Sequence, residues 1–528
     1  MDAGGRLKER FDIAVIGSGF AGSLLAMIAQ RLGMRVILLE RGRHPRMVIG
    51  ESSTPLSNLL LEELATRYGL ENLRPLSKWG SWRETHPELA CGLKRGFSFF
   101  HHARGAAGPI ERENQLLVAA SPHDQIGDTH WYRADFDAYL ANEAQRMGVT
   151  YLDQVELSGF ADDGREAWLH GAVGGRELGI AARFVVDATG PRGFLHRALA
   201  LSERELPDMP ATSAFYSHFS GVRRLAETGG VVLNDVPPYP VDDAAVHHIF
   251  DGGWIWVLHF CNGITSAGIA ATEALAAKFR LADGEAGWKR LLQSFPVLRE
   301  QFQDAQAVQP FRHIQRLGFR SAKISGRNWA LLPSAAGFVD PLLSTGFPLT
   351  LLGVSRLAEI FERDWETGHF ATALEEYAAR TDAELMATAR LIGALYANFG
   401  NSPVFSAVSL LYFAAASYAE AARRLGRPQL ASSFLLHDHP KFGAECARVL
   451  ERARSVRSNR DSEAVIAEIR RIIEPVDVAG LSNCARRNWY PVDAEDLLHA
   501  AHKVDASREE ILQMLERCGF NASAISRD

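Results

Sequence analysis

Phe11-Asp-Ile-Ala-Val-Ile16, Gly17-Ser-Gly19-Phe20-Ala21-Gly22, then Ser23 to Leu32, Gly33, and Arg35-Val-Ile-Leu-Leu39 closing on Glu40 form the stretch that decides the fold. The first six residues are a short apolar, β-branched run, which reads as a buried strand. Ser23 to Leu32 reads as a compact apolar helix ended by Gly33, and residues 35–39 as a second buried strand. Together they make a βαβ unit with parallel strands, the helix serving as the crossover. In the turn between strand and helix, Gly17 permits the tight bend, Gly19 lets the backbone approach a pyrophosphate, and Gly22 lets helix and strand pack closely. The helix N-terminus offers free N–H groups and the positive dipole end to phosphates. Glu40 stands where it can accept hydrogen bonds from a ribose diol. A lone G-x-G-x-x-G is weak, but inside a complete βαβ unit with its terminal acid it marks a dinucleotide cradle.

The chain has 528 residues, enough for three or four folding units or one large fused body. It is 47% hydrophobic and 23% charged, ordinary for a globular protein. A formal net charge of -6 speaks against a nucleic-acid surface. The five cysteines, at 91, 261, 446, 484 and 518, are scattered and form no C-x-x-C pair. They suggest neither a disulfide framework nor a zinc site, and a reducing, cytoplasmic location is expected. Residues 1–12 are charged and run into a strand with no apolar signal core. Pro403 to Ala422 is apolar but contains serines, tyrosines and Glu420, so a buried helix is expected there and no membrane span. His101-His102 and His247-His248 point to opposite faces if they lie in strands. His437 and His439 lack a third ligand, and no metal site is expected.

Two later segments narrow the dinucleotide to FAD. Val185-Val-Asp187-Ala-Thr-Gly190 is similar to the second flavin-binding strand of flavoproteins with the two-dinucleotide fold. Asn328 to Gly346, containing Asp340-Pro-Leu-Leu-Ser-Thr345-Gly346, is similar to their third flavin segment, in which an Asp lies near the ribityl chain and a helix N-terminus faces the flavin ring. The expected fold is α/β: a Rossmann-like FAD domain over 1–205 with an inserted loop, an antiparallel-sheet substrate domain over 206–325, a return to the FAD domain over 326–370, and a mostly helical region over 371–528. Residues 205–320 read mostly as strands separated by Gly, Asp and Pro turns.

Across residues 10–400 the chain resembles the flavin-dependent halogenases and their monooxygenase relatives. The likeness rests on the glycine motif, Gly50-Glu51-Ser52-Ser-Thr-Pro55, Gly92-Leu-Lys94-Arg-Gly-Phe97-Ser-Phe99, Arg133 with Phe136-Asp137, Trp254-Ile-Trp256, and residues 340–346. It implies a reduced FAD that captures O2 as a C4a-hydroperoxide. It places Gly17, Gly19, Phe20, Ala21, Gly22, Glu40, Arg41, Ser52, Arg133, Asp187, Gly190, Asp340, Thr345 and Gly346 at the cofactor. The Glu51 loop is the element that links cofactor and substrate chambers in that family. Phe97, Phe99, Trp254, Trp256 and Phe347 become candidate pocket walls.

Three positions bear on the reaction. Lys94 aligns with the lysine that intercepts hypohalous acid in halogenases, Lys78 being a weaker candidate. The family's W-x-W-x-I-P reads here Trp254-Ile-Trp256-Val-Leu-His259, and Leu343 stands where indole-acting halogenases have glutamate. His259 is a candidate general acid/base, against the plainer reading of a strand histidine with its hydrogen bonds satisfied. These departures lead us to expect an FAD-dependent monooxygenase hydroxylating an electron-rich aromatic ring, a phenol or a tryptophan, free or carried on a peptide or protein, with Lys94, His259 and Glu51 as its catalytic residues. A branch that matures tryptophylquinone cofactors belongs to the same lineage. The alternatives are a halogenase relaying hypohalous acid through Lys94 and a non-catalytic escort protein. No second glycine fingerprint for NAD(P)H is visible, so electrons would come from a separate flavin reductase or from transient nicotinamide docking. The oligomeric state is not legible.

Overall fold

Ile13, Ala14, Val15 and Ile16 are all buried, and they set the strand Leu7–Ile16 in the middle of a parallel sheet covered on both faces. This is seen in a computed structural model that describes residues 7–102 and 108–520. Five strands run parallel in the order Trp329–Leu331, Arg176–Asp187, Leu7–Ile16, Val36–Leu39 and Thr150–Leu152. The antiparallel pair Val155–Asp162 and Ala167–Val173 returns onto Arg176–Asp187. The helix Phe20–Arg31, buried from Phe20 through Ala29, packs against this sheet and against the long helix Gly346–Arg363.

A second, larger sheet lies beside the first. Its strands follow the order Gln306–Ala307, Thr212–Ser220, Ile264–Thr272, Gly253–His259, Ala245–Phe250, Gly96–His101, Gln115–Ala119 and Trp489–Tyr490. Most neighbours are antiparallel. Gly96–His101 joins Ala245–Phe250 in parallel, as Trp489–Tyr490 joins Gln115–Ala119. Alternation gives the sheet two different faces. Phe97, Phe99, Trp254, Trp256 and Leu258 belong to the core shared with the FAD-type domain and the C-terminal helices. Phe100, Ile255, Val257, Phe215 and Phe219 belong to a separate core on the far side.

The far core departs from the strand-rich reading of residues 205–320. It is roofed by three helices, Glu273–Phe279, Glu285–Gln293 and Pro296–Gln301. Trp288, Leu291 and Leu292 recur at helical spacing and bury one face, and Pro296 occupies the first turn of the third helix.

Beyond residue 370 the described chain is helical, apart from the short strand Trp489–Tyr490. Ser402–Arg424 is long and apolar enough to span a membrane, but it is mostly buried inside the protein. Its Phe405, Tyr412 and Phe413 pack on Phe97 and Phe99. Asn401 caps its N-terminus and Pro403 lies in its first turn.

Candidate active site

The glycine turn closes as its residues require. Gly17 has φ +100°, and a Cβ on Gly22 would lie 1.9 Å from the Gly17 carbonyl oxygen. Gly19 stands at the N-cap of Phe20–Arg31 with no side chain capping the helix. The space where a Gly19 Cβ would sit is bordered by the guanidinium of Arg133 at 3.5 Å, the Asp137 carboxylate that Arg133 neutralises at 3.7 Å and the guanidinium of Arg46 at 3.8 Å. Free N–H groups, a helix dipole and two guanidiniums are a donor set that fits a pyrophosphate.

Glu40 is buried and accepts from Ser18 N–H at 3.1 Å, Gly42 N–H at 2.8 Å and Arg46 Nη2 at 3.1 Å. Burial pulls its pKa up, but Arg46 and the N–H groups outweigh that and hold it below the ordinary value, so it stays an ionised acceptor. Gly346 opens the helix Gly346–Arg363 onto free space with no side-chain cap, as a flavin-facing helix end would. Phe347 sits on this cofactor side, against Phe20 and Trp131, and not with the other candidate pocket aromatics. Arg41 is exposed just past the strand end.

Arg133 links the cradle to the next element. It grips Asp137 through two hydrogen bonds of 2.8 Å and donates to the Gly50 carbonyl at 2.8 Å. Residues 51–53 then run extended beside Asp128–Trp131: Trp131 N–H donates to the Glu51 carbonyl, and Ser53 N–H to that of Thr129. Thr54 caps the helix Pro55–Arg67, with Pro55 at its first position, which is why this loop ends so sharply. Cys91–Lys94 pairs antiparallel with Asp128–Trp131, setting Lys94 opposite Asp128.

Lys94 is fully buried. Its Nζ donates to Ser52 Oγ at 2.9 Å and to the Ser53 carbonyl at 2.5 Å, and it lies 3.7 Å from the centre of the Phe97 ring. Ser52 thus serves the lysine. Burial pushes Lys94 down and Asp128 up, toward their neutral forms, with each charge partly supporting the other. Lys78, the weaker candidate, is half-buried and pairs with Glu62 at 3.7 Å.

The sheet register sorts the histidines. Thr212–Ser220 pairs with Ile264–Thr272 and that strand with Gly253–His259, so Tyr216 and His218 share a face with Trp256 and Leu258. His218 Nε2 meets Glu51 Oε1 at 2.8 Å, both groups buried. Glu51 Oε2 is buried with no hydrogen-bond partner. His259 points to the opposite face. Its Nδ1 meets Thr265 Oγ1 at 3.0 Å and its Nε2 lies 3.8 Å from Asp242, whose carboxylate holds the N–H groups of Leu225 and Ala226. The residue facing the site is therefore His218, which the sequence reading did not single out. The paired histidines also divide: His247 stacks on Phe99, while His248 faces His102 and Gln301.

The two strand-end aspartates have protein partners. Asp187 accepts from Thr189 N–H and Oγ1 and from Leu195 N–H, bracing the turn that presents Gly190 at φ +81°. Asp340 accepts from Trp254 Nε1 at 3.2 Å, Leu342 N–H at 3.0 Å and the Tyr396 hydroxyl at 2.8 Å. Burial pushes it up to about 6. Leu343 and Ser344 follow in the left-handed region, at φ +64° and +56°, and turn the chain into the helix that Gly346 begins. Leu343 is fully buried. Trp254 and Trp256 adjoin this node, whereas Phe97 and Phe99 lie deeper, beneath Ser402–Arg424. An open cleft of about 920 Å³, lined in part by Met209, Thr272, Leu275 and Arg454, reaches Tyr396 from outside. Among the described residues no group of three His, Cys, Asp or Glu side chains is placed to hold a metal.

This cradle, joined by the Glu51 loop to an aromatic sheet face, defines a flavin-dependent oxidoreductase. The chain belongs to the tryptophan halogenase family, whose model matches residues 128–403, just over half of its length. It is 26% identical over 416 residues to tetracycline 7-halogenase of Kitasatospora aureofaciens, covering 77% of this chain and 73% of that protein. It is 28% identical over 385 residues to monodechloroaminopyrrolnitrin halogenase PrnC of Pseudomonas fluorescens, covering 72% of this chain and 66% of that protein. Among solved structures it is similar to halogenase PltM in complex with phloroglucinol and FAD, with a TM-score of 0.80 at 23% identity over 90% of this chain and 99% of the other. The comparisons favour the halogenase alternative over the expected direct hydroxylation, and an enzyme over an escort protein.

Proposed function

We propose that this protein is an FAD-dependent halogenase of an electron-rich aromatic small molecule, with Lys94 relaying hypohalous acid to the ring. The observation that carries this reading is the setting of Lys94: a buried amine joining the Glu51 loop to the aromatic face of the second sheet. Reduced FAD, when bound, supplies the electrons with which O2 converts halide to hypohalous acid. A separate flavin reductase is the proposed source of that reduced flavin. Gly17 to Gly22, Arg133, Arg46 and Glu40 would hold the cofactor's pyrophosphate and ribose.

Burial eases proton loss from Lys94, so its Nζ can orient hypohalous acid by donating to it as the ammonium and can accept from its O–H once neutral. Trp254 and Trp256 supply flat apolar surface for the ring and exclude water that would compete for the oxidant. Glu51, steadied by His218 and with one oxygen free, is assigned to accept the proton the ring loses as the carbon–halogen bond forms. Leu343 disfavours an indole reading and suits a phenol or pyrrole.

The test is turnover of a phenol and pyrrole panel by the full chain with FAD, a flavin reductase, NADH and O2, with and without chloride or bromide. Products bearing the halogen isotope pattern only when halide is present are expected. Hydroxylated products formed equally well without halide would sink the proposal and restore the monooxygenase reading.

A further inference from the structure

Two of the five cysteines scattered through the sequence meet in the fold. Cys91 begins the strand that ends at Lys94, and Cys261 lies in the turn just after Gly253–His259. Cys261 N–H donates to the Cys91 carbonyl at 2.9 Å. A direct backbone hydrogen bond holds the two Cα atoms within about 4.5–6.5 Å, inside the roughly 4.4–6.8 Å that a disulfide spans. Each thiol is also the other's strongest electrostatic influence, so the two side chains face one another. Arg83 Nη1 donates to the same Sγ at 3.5 Å and is itself steadied on the Pro87 carbonyl. Cys91 is fully buried, whereas Cys261 is exposed.

This is an asymmetric pair, with one accessible sulfur that faces a thiol and a guanidinium and one sheltered sulfur behind it. The Cys91 thiol and the nearby Arg83 lower Cys261 to about 6, and the facing Cys261 together with burial pushes Cys91 well up. An exposed thiolate in an electropositive setting, backed by an inert thiol, is the division of labour seen in attacking and resolving cysteines.

We propose that Cys91 and Cys261 are a redox-active dithiol, with Cys261 the nucleophile, Cys91 the resolving thiol and hydrogen peroxide the oxidant. The Cys261 thiolate attacks one peroxide oxygen; an S–O bond forms, the O–O bond breaks and hydroxide leaves. The Cys91 sulfur then attacks the sulfenic acid; an S–S bond forms, the S–O bond breaks, and the departing oxygen leaves as water with the Cys91 proton. Two thiols lose two electrons and two protons, and one peroxide becomes two waters. The bridge would tie the strand bearing Lys94 to the turn of the Trp254–Trp256 strand, fixing both sides of the site.

The test treats the reduced, full-length protein with stoichiometric peroxide, quenches in acid, alkylates and maps peptides by mass. A Cys91–Cys261 cross-link, two hydrogens lighter than the free pair and reversed by reductant, is expected. In Cys91→Ser the reaction should stop at a sulfenic acid on Cys261 that dimedone traps. Cys261→Ser should give neither cross-link nor trapping at Cys91. Iodoacetamide at pH 6 should label Cys261 about tenfold faster than exposed Cys484, after allowing for the lower nucleophilicity of a low-pKa thiolate. Two thiols that stay free under peroxide overturn the proposal in the wild-type protein alone, as does dimedone trapping at Cys484 equal to that at Cys261.

Discussion

Replacing Lys94 with Met keeps most of the side-chain volume and removes only the charge and its three donors, so it separates two roles of one residue. For stability, the substitution leaves Asp128 buried without its cation and withdraws a charged donor from Ser52 and the Ser53 carbonyl. Breaking a direct buried pair from one side costs about 3–5 kcal/mol; Lys94 supports Asp128 across the strand pair without a direct bridge, so the low end, about 3 kcal/mol, applies. With an unfolding entropy of about 2 cal/mol/K per residue, a chain of 528 residues then loses about 3 °C in thermal midpoint. The deficit depends on pH with a definite sign. Asp128 is already raised by burial and rises further without Lys94, so its contribution is intact below its unfolded pKa and is lost as pH rises through the folded one. Calorimetry should therefore find a larger deficit at pH 8 than at pH 6, and Lys94→Met/Asp128→Asn should recover most of it. For activity, halogenated product should disappear while oxygen consumption stays within about twofold. A variant that halogenates at the wild-type rate would remove Lys94 from the relay. A deficit equal at both pH values would mean that Asp128 is not the group left uncompensated.

Three further outcomes follow from the same geometry. Gly22→Ala places a Cβ 1.9 Å from the Gly17 carbonyl, so the protein should purify without flavin absorbance or fail to fold, and a fully yellow variant would contradict the cradle. His259→Ala, on the far face of the sheet, should keep halide-dependent turnover within about twofold, whereas His218→Ala, which strips Glu51 of its partner, should lower it at least tenfold. Asp340, raised to about 6, contributes stability that is present below its unfolded pKa near 4 and lost as pH rises through 6. That is about 3 kcal/mol in all, so Asp340→Asn should flatten the fall in thermal midpoint between pH 4 and 7, and an unchanged slope would show that another group titrates there.

Much of the cofactor half was legible because its signals are local. The Gly17–Gly22 turn and the strand to Glu40 each depend on neighbours a few residues away. The partners of Asp340 were not legible, since Trp254 and Tyr396 stand 86 and 56 residues off along the chain. The choice between His259 and His218 depended on register: only the pairing of three strands decides which histidine faces Glu51. Phe97 and Phe99 read as pocket walls, whereas their cover is a helix about three hundred residues downstream that carries no motif. The helices within 273–301 were missed because their turn-rich flanks hid the spacing of Trp288, Leu291 and Leu292.

The short strand Trp489–Tyr490 bears on how this chain can be cut. It lies on Gln115–Ala119 and is the last strand on that side of the second sheet, with the Arg112 guanidinium over the Trp489 ring. The family match stops at residue 403, so a truncation designed from it would remove this strand and bare the hydrogen-bonding edge of a buried, apolar one. Open edges of that kind recruit other chains. A shortened enzyme made for engineering would be lost to self-association before its chemistry could be measured, and the tail should be kept, or its strand grafted, in any minimised version.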